Sequence, residues 1–123
     1  MDVLQFFAQH MDAFPIFQEL ERLLTNCVPD ARRKVSKTQI SYSNPHIFAM
    51  VSFNPCRRAK DRPEVWLTLS FGLGYRKDSR RIDAVEAYPN RWTHHVMIGS
   101  IEELNDELLS WLQEAAAFSK NRR

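Results

Sequence analysis

The run Arg91-Trp92-Thr93-His94-His95-Val96-Met97-Ile98 holds the densest set of chemically able side chains in this 123-residue chain. Two adjacent histidines invite a reading as an imidazole pair. Neighbours on an extended strand point to opposite faces, however, so the two rings cannot chelate one metal while the strand stays regular. His94 falls on the side of Trp92, Val96 and Ile98, and reads as a core histidine. His95 falls with Thr93 and Met97 on the wetter side. It is the candidate catalytic residue, a general base with Arg91 or Arg76 holding an anionic substrate group.

Other chemistries are thinly represented. His10 and His46 are remote from this run, no Cys-x-x-Cys or His-Glu-x-x-His spacing occurs, and no metal or cofactor is expected. Cys56 beside Arg57 and Arg58 could have a lowered pKa, but Asn54-Pro55-Cys56-Arg57 reads as a loop start. Ser70 and Thr68 lie mid-strand, where hydroxyls usually fill a polar face. Gly72-Leu73-Gly74 opens no helix, so it reads as a bulge or hairpin and not as a phosphate-binding turn.

The elements that must position these residues follow from periodicity. Val3, Leu4, Phe6 and Phe7 predict a short helix over residues 2–10. Pro15 suits the first turn of a second helix, with Ile16, Leu20, Leu23, Leu24 and Cys27 at helical spacing and Pro29 as the stop. The period then changes to two. Strands are predicted over 38–42, 47–53, 64–71, 82–87 and 92–98, separated by Ser43-Asn44-Pro45, Asn54-Pro55, Gly72-Leu73-Gly74 and Tyr88-Pro89-Asn90. Ser100 with Glu103 has the form of a capping box, followed by a stripe of Ile101, Leu104, Leu108, Trp111, Leu112, Ala115 and Phe118. The expected architecture is a single α+β domain over 1–123. An antiparallel sheet of about five strands, a meander, carries the N-terminal and C-terminal helices on one face.

Composition agrees with a globular chain, at 44% hydrophobic and 26% charged. No apolar run is long enough to span a bilayer, and Met1-Asp2-Val3-Leu4-Gln5 lacks the pattern of a signal peptide. A cytoplasmic location without membrane insertion is expected, with Cys27 and Cys56 reduced. The net charge of +2 hides a basic middle, 13 Lys/Arg against 5 Asp/Glu from Ala31 to Arg91, between acidic ends. Such a middle can serve an anionic partner, or can simply be a set of basic loops.

Several strings together are similar to a known group of proteins: Lys37-Thr38-Gln39-Ile40-Ser41-Tyr42, Leu67-Thr68-Leu69-Ser70-Phe71-Gly72-Leu73, Arg91-Trp92-Thr93-His94-His95 and Leu108-Leu109-Ser110-Trp111-Leu112-Gln113-Glu114-Ala115. They resemble an uncharacterised bacterial family catalogued as a domain of unknown function, over roughly Arg33 to Ser119. Some of its members carry the label predicted transport protein. The resemblance implies a compact bacterial cytosolic α+β domain and supplies no catalytic residues.

The surface expected to matter is the sheet face opposite the helices, carrying Lys37, Gln39, Ser41, Phe48, Met50, Trp66, Thr68, Ser70, Thr93, His95 and Met97. Arginines 57, 58, 76, 80, 81 and 91 would ring it. The function expected is a small non-enzymatic binding or interaction module, with Gln39, Trp66, Arg76, Arg91 and His95 as ligand contacts. A small anionic ligand or a homodimer through this face are the partners that fit. The alternatives are an enzyme acting on a small anionic substrate through His95, and a single-stranded nucleic-acid binder stacking bases on Phe48 and Trp66.

Overall fold

A computed structural model describes residues 1–121. Three α-helices, α1 (Val3–Phe6), α2 (Phe14–Cys27) and α3 (Asp106–Lys120), flank six strands. The strands are β1 (Arg32–Val35), β2 (Ile40–Ser43), β3 (Ile47–Ser52), β4 (Leu67–Leu73), β5 (Asp83–Tyr88) and β6 (Arg91–Ile98). They form one antiparallel sheet in the order β1-β2-β3-β4-β6-β5. The chain runs as a meander to β4, crosses to the far edge as β5, and returns as β6 alongside β4. The strand bearing the two histidines is therefore interior.

The α+β class and the helices at both ends are as the sequence pattern requires. The sixth strand, β1, has the sequence Arg-Arg-Lys-Val, with its three basic residues exposed and Val35 half-buried. It lacks apolar alternation because it is an edge strand, where charged residues also discourage pairing with another chain.

All three helices lie on one face. Register puts Tyr42, Ala49, Val51, Leu69, Phe71, His94 and Val96 on that face. The Tyr42 hydroxyl donates to Glu21 of α2 at 2.7 Å. Phe71 stacks between His94 and Trp111 of α3, with centroids 5.0 and 6.0 Å apart. Phe6 and Phe7, at the end of α1, pack on Phe53 just after β3. Phe17, Leu20, Leu24, Leu108, Leu112 and Ala115 complete this core and are essentially sealed from water. Burial on this scale is the main source of stability in such a sheet-and-helix sandwich.

The helix starts differ from expectation in one place. Pro15 does sit in the first turn of α2. Ser100, however, makes no side-chain cap, and residues Ile101–Glu103 form only a 3-10 turn. Asn105 caps α3, its side chain accepting the Leu108 N–H at 3.0 Å. Asp106 and Glu107 follow it, complementing the helix dipole. Glu103 instead accepts the Gly99 N–H at 2.7 Å, so its carboxylate closes the β6 exit.

Candidate functional site

On the face away from the helices, register aligns one residue from each of five strands: Ser41, Met50, Ser70, His95 and Asp83. This row contains the predicted open-face residues Ser41, Met50, Ser70 and His95. Asp83, which joins the row by pairing with His95 across β5 and β6, was absent from that expectation.

His95 lies half-buried in the row. Its Nδ1 is 2.7 Å from the Ser70 hydroxyl. Burial pushes the imidazole below its ordinary pKa, opposed by the Asp83 carboxylate across the strand pair. Burial thus favours the neutral ring. Ser70 itself is 5% exposed and sits in register between Met50 and His95, so it is largely covered.

Asp83 does more than face His95. Arg57 donates to it through Nε at 2.8 Å and to the Arg80 carbonyl through Nη2 at 2.6 Å. These two bonds tie the segment after β3 to the segment before β5. The first segment is fastened further by Thr68, which donates to the Asn54 carbonyl at 2.8 Å, and by Arg62, which donates to the Arg57 carbonyl at 2.7 Å. Gly99 lets Pro63 dock, since a Cβ there would lie 2.6 Å from the proline ring. The charged loops thus fold over the β4–β6–β5 half of the open face, an outcome the sequence pattern could not separate from an open sheet.

Two depressions flank Arg57. One of about 520 Å³ is lined by Cys56, Arg57, Arg58, Asp61 and Asp83. The other, about 400 Å³, adds Pro63, Arg80, Arg81, Met97 and Glu103 to Arg57 and Asp61. The Cys56 thiol is pushed up by burial and then by the negative charge of Asp83, overcoming Arg57. The neighbouring arginines therefore do not activate it, contrary to what its sequence context suggests.

The six expected rim arginines divide by the work they already do. Arg81 donates to the Glu103 carbonyl at 2.6 Å and to Asn105 at 3.1 Å, and lies over the Trp111 ring. Arg76 pairs with Asp78 and lies over Trp92. Arg91 lies over Phe118 of α3. Arg57 is spent on Asp83. Arg58 has only a 3.8 Å approach to Asp61 and is otherwise exposed. Arg80 is exposed, and among the described residues its guanidinium has no hydrogen-bond or ion-pair partner.

The five predicted ligand contacts do not share one surface. His95 is central. Trp66 precedes β4 at one end, edge-on to Phe53 and beneath Arg62. Gln39 is in the β1–β2 turn, where its backbone bonds Ser36. Arg76 and Arg91 are at the other end of β4 and β6, on aromatic rings of the helix side or edge. Seven residues of β4 separate Trp66 from that end, roughly 23 Å of extended chain.

His94 is the opposite case to His95, with no exposure. Its Nε2 accepts the Lys77 N–H at 2.9 Å, so the proton sits on Nδ1, which points to the Phe71 carbonyl at 3.4 Å. Burial depresses its pKa. Lys77 also reaches Glu114 of α3 at 2.8 Å, and Tyr75 donates to the same carboxylate. This strap over the helix side was not legible in the sequence, since 37 residues separate Lys77 from Glu114.

A family model described as Domain of unknown function (DUF5655) matches residues 4–119. The chain belongs to this family. No curated protein matches it, and no solved structure does. Among the described residues no helix is long and apolar enough to cross a membrane.

Proposed function

We propose that this DUF5655 chain is a non-enzymatic binding module of the bacterial cytoplasm, taking small anions on the loop-covered half of the open face. The observation that carries this reading is the unequal use of the arginines. Arg57 and Arg81 are consumed in fixing the two loops, which leaves Arg58, with only a 3.8 Å approach to Asp61, and Arg80, with no side-chain partner among the described residues, in the linings of adjoining depressions that also hold Asp61, Asp83 and Glu103. Guanidinium groups held on pinned loops lose less freedom on binding, which favours carboxylate or phosphate ligands.

The enzyme alternative has less behind it. Burial lowers the His95 pKa, as suits a base, but His95 lines neither depression beside Arg57. Base stacking also loses its platform, because Phe48 is 2% exposed.

Amide NMR during titration with inorganic phosphate, and separately with succinate, tests the proposal. Shifts are expected at Cys56–Asp61 and Arg80–Asp83, with affinity reduced about tenfold or more in an Arg58→Glu/Arg80→Glu double variant. Absence of shifts there with both anions at about 10 mM would sink the reading.

A further inference from the structure

A further cleft lies between α1 with its following turn, the β1–β2 turn and the exit of β3. It measures about 440 Å³, within the range of small-molecule sites. Its floor is aromatic. Phe53 stacks on Phe6 at 5.5 Å and meets Phe7 and Trp66 edge-on, so its ring is held from three sides. The His10 imidazole lies flat on Phe53, centroids 3.9 Å apart and planes 18° from parallel. His10 is itself exposed, which leaves the outer face of its ring bare.

Polar side chains rim this floor: Gln9, Lys37, Thr38 and Asn54. All four are exposed, and among the described residues none of these side chains has a hydrogen-bond or ion-pair partner. The contrast with the arginine loops is sharp, because there most donors are already committed. Unspent donors and acceptors around a rigid aromatic floor are the ingredients of a site that orients a ring by its substituents. Among the described lining residues no acidic side chain occurs and Lys37 brings an ammonium, so the complementary ligand is an anion.

We propose that this cleft binds a small planar aromatic carboxylate. The ring lies face-on against His10, backed by Phe53. The carboxylate sits at Lys37, with the amides of Gln9 and Asn54 and the Thr38 hydroxyl bonding its periphery. The cleft shares no lining residue with the two arginine depressions and does not depend on the function proposed for them.

Three matched probes on the full chain test it: naphthoate, its saturated decalin carboxylate, and naphthamide. The first has both flat face and charge, the second only charge, the third only the face. Naphthoate is expected to shift the amides of Gln9, His10, Lys37, Thr38 and Asn54 and to perturb Trp66 fluorescence through Phe53. The other two should bind at least about tenfold more weakly. His10→Ala and Lys37→Gln, both at exposed positions, should each weaken naphthoate about tenfold as read from the amide shifts of Gln9, Thr38 and Asn54. Equal affinity for all three probes, shifts confined to other residues, or no shift at millimolar naphthoate would overturn the proposal. If His10→Ala disturbs the aromatic stack, Lys37→Gln still decides: unchanged affinity in that variant would remove the carboxylate assignment.

Discussion

His94 and His95 are adjacent in sequence and share a strand, yet they belong to different molecules in physical terms. His94 is sealed on the helix side of the sheet, stacked on Phe71, with both ring nitrogens directed at backbone groups. His95 is half-buried on the loop-covered face, bonded to one serine hydroxyl. One residue of register separates them, and register on a strand is a choice of face. The helix side of the sheet is an apolar core with a few satisfied polar groups. The other side is a layer of hydroxyls, methionines and charges closed by loops. Residue type alone does not assign a role here; the element packed against each face does.

The largest effect expected from this difference is at Phe71 against Ser70. Phe71→Ala removes a ring stacked on both His94 and Trp111 and should lower unfolding free energy by about 3–5 kcal/mol in denaturant titration. Ser70→Ala, one residue along, removes a single hydroxyl contact and should cost about 1 kcal/mol. Similar losses for the two would erase the distinction between faces.

Gly99→Ala comes next. The new methyl meets the Pro63 ring at 2.6–2.7 Å, and the proline ring has little freedom to yield. A loss of about 1–3 kcal/mol is expected, with amide shifts spreading along residues 54–65. A neutral outcome would mean that the loop is not seated on the β6 exit as described.

Acid should act on both faces with the same sign. Burial lowers the pKa of both histidines below 6.5 in the folded chain, so the unfolded chain binds more protons in that range. Stability is then fully present above about 6.5 and falls as pH drops through the depressed folded values. Replacing His94 with Gln should flatten that fall relative to wild type in melts between pH 7 and 5. An unaltered profile would show that the His94 proton is not linked to folding.

The smallest effect concerns the loop arginines. Arg58→Glu with Arg80→Glu should change stability by less than about 0.5 kcal/mol, since Arg58 makes only an exposed 3.8 Å approach to Asp61 and the Arg80 guanidinium has no partner among the described residues. A large loss would place them among the structural arginines with Arg57 and Arg81.

Much of the fold could be read from periodicity. Val65, Leu67, Leu69 and Phe71 alternate strongly, and Trp92 to Ile98 do so on the correct face, since one side of each strand meets the apolar core. β1 was hidden because an edge strand of Arg32, Arg33 and Lys34 has no apolar face to betray it. The Ser100–Glu103 pattern misled, because Asn105 before Asp106 and Glu107 makes the better start and leaves Glu103 to bond Gly99. The candidate site was legible only as a row: Ser41, Met50, Ser70 and His95 follow from strand parity. Its closure by Arg57, and the commitment of Arg76, Arg81 and Arg91 to aromatic rings, depend on contacts between segments distant in sequence. No local pattern announces these.

The division between the two faces of β6 is tested most directly by equilibrium urea unfolding of His94→Ala and His95→Ala side by side, at pH 7.5 where both rings are neutral. His94→Ala leaves the Lys77 N–H without its acceptor in a sealed site and opens a void beside Phe71; a loss of about 3 kcal/mol is predicted. His95→Ala should cost about 1 kcal/mol or less. Equal losses, or a larger loss at His95, would contradict the account and make the loop-covered face part of the core.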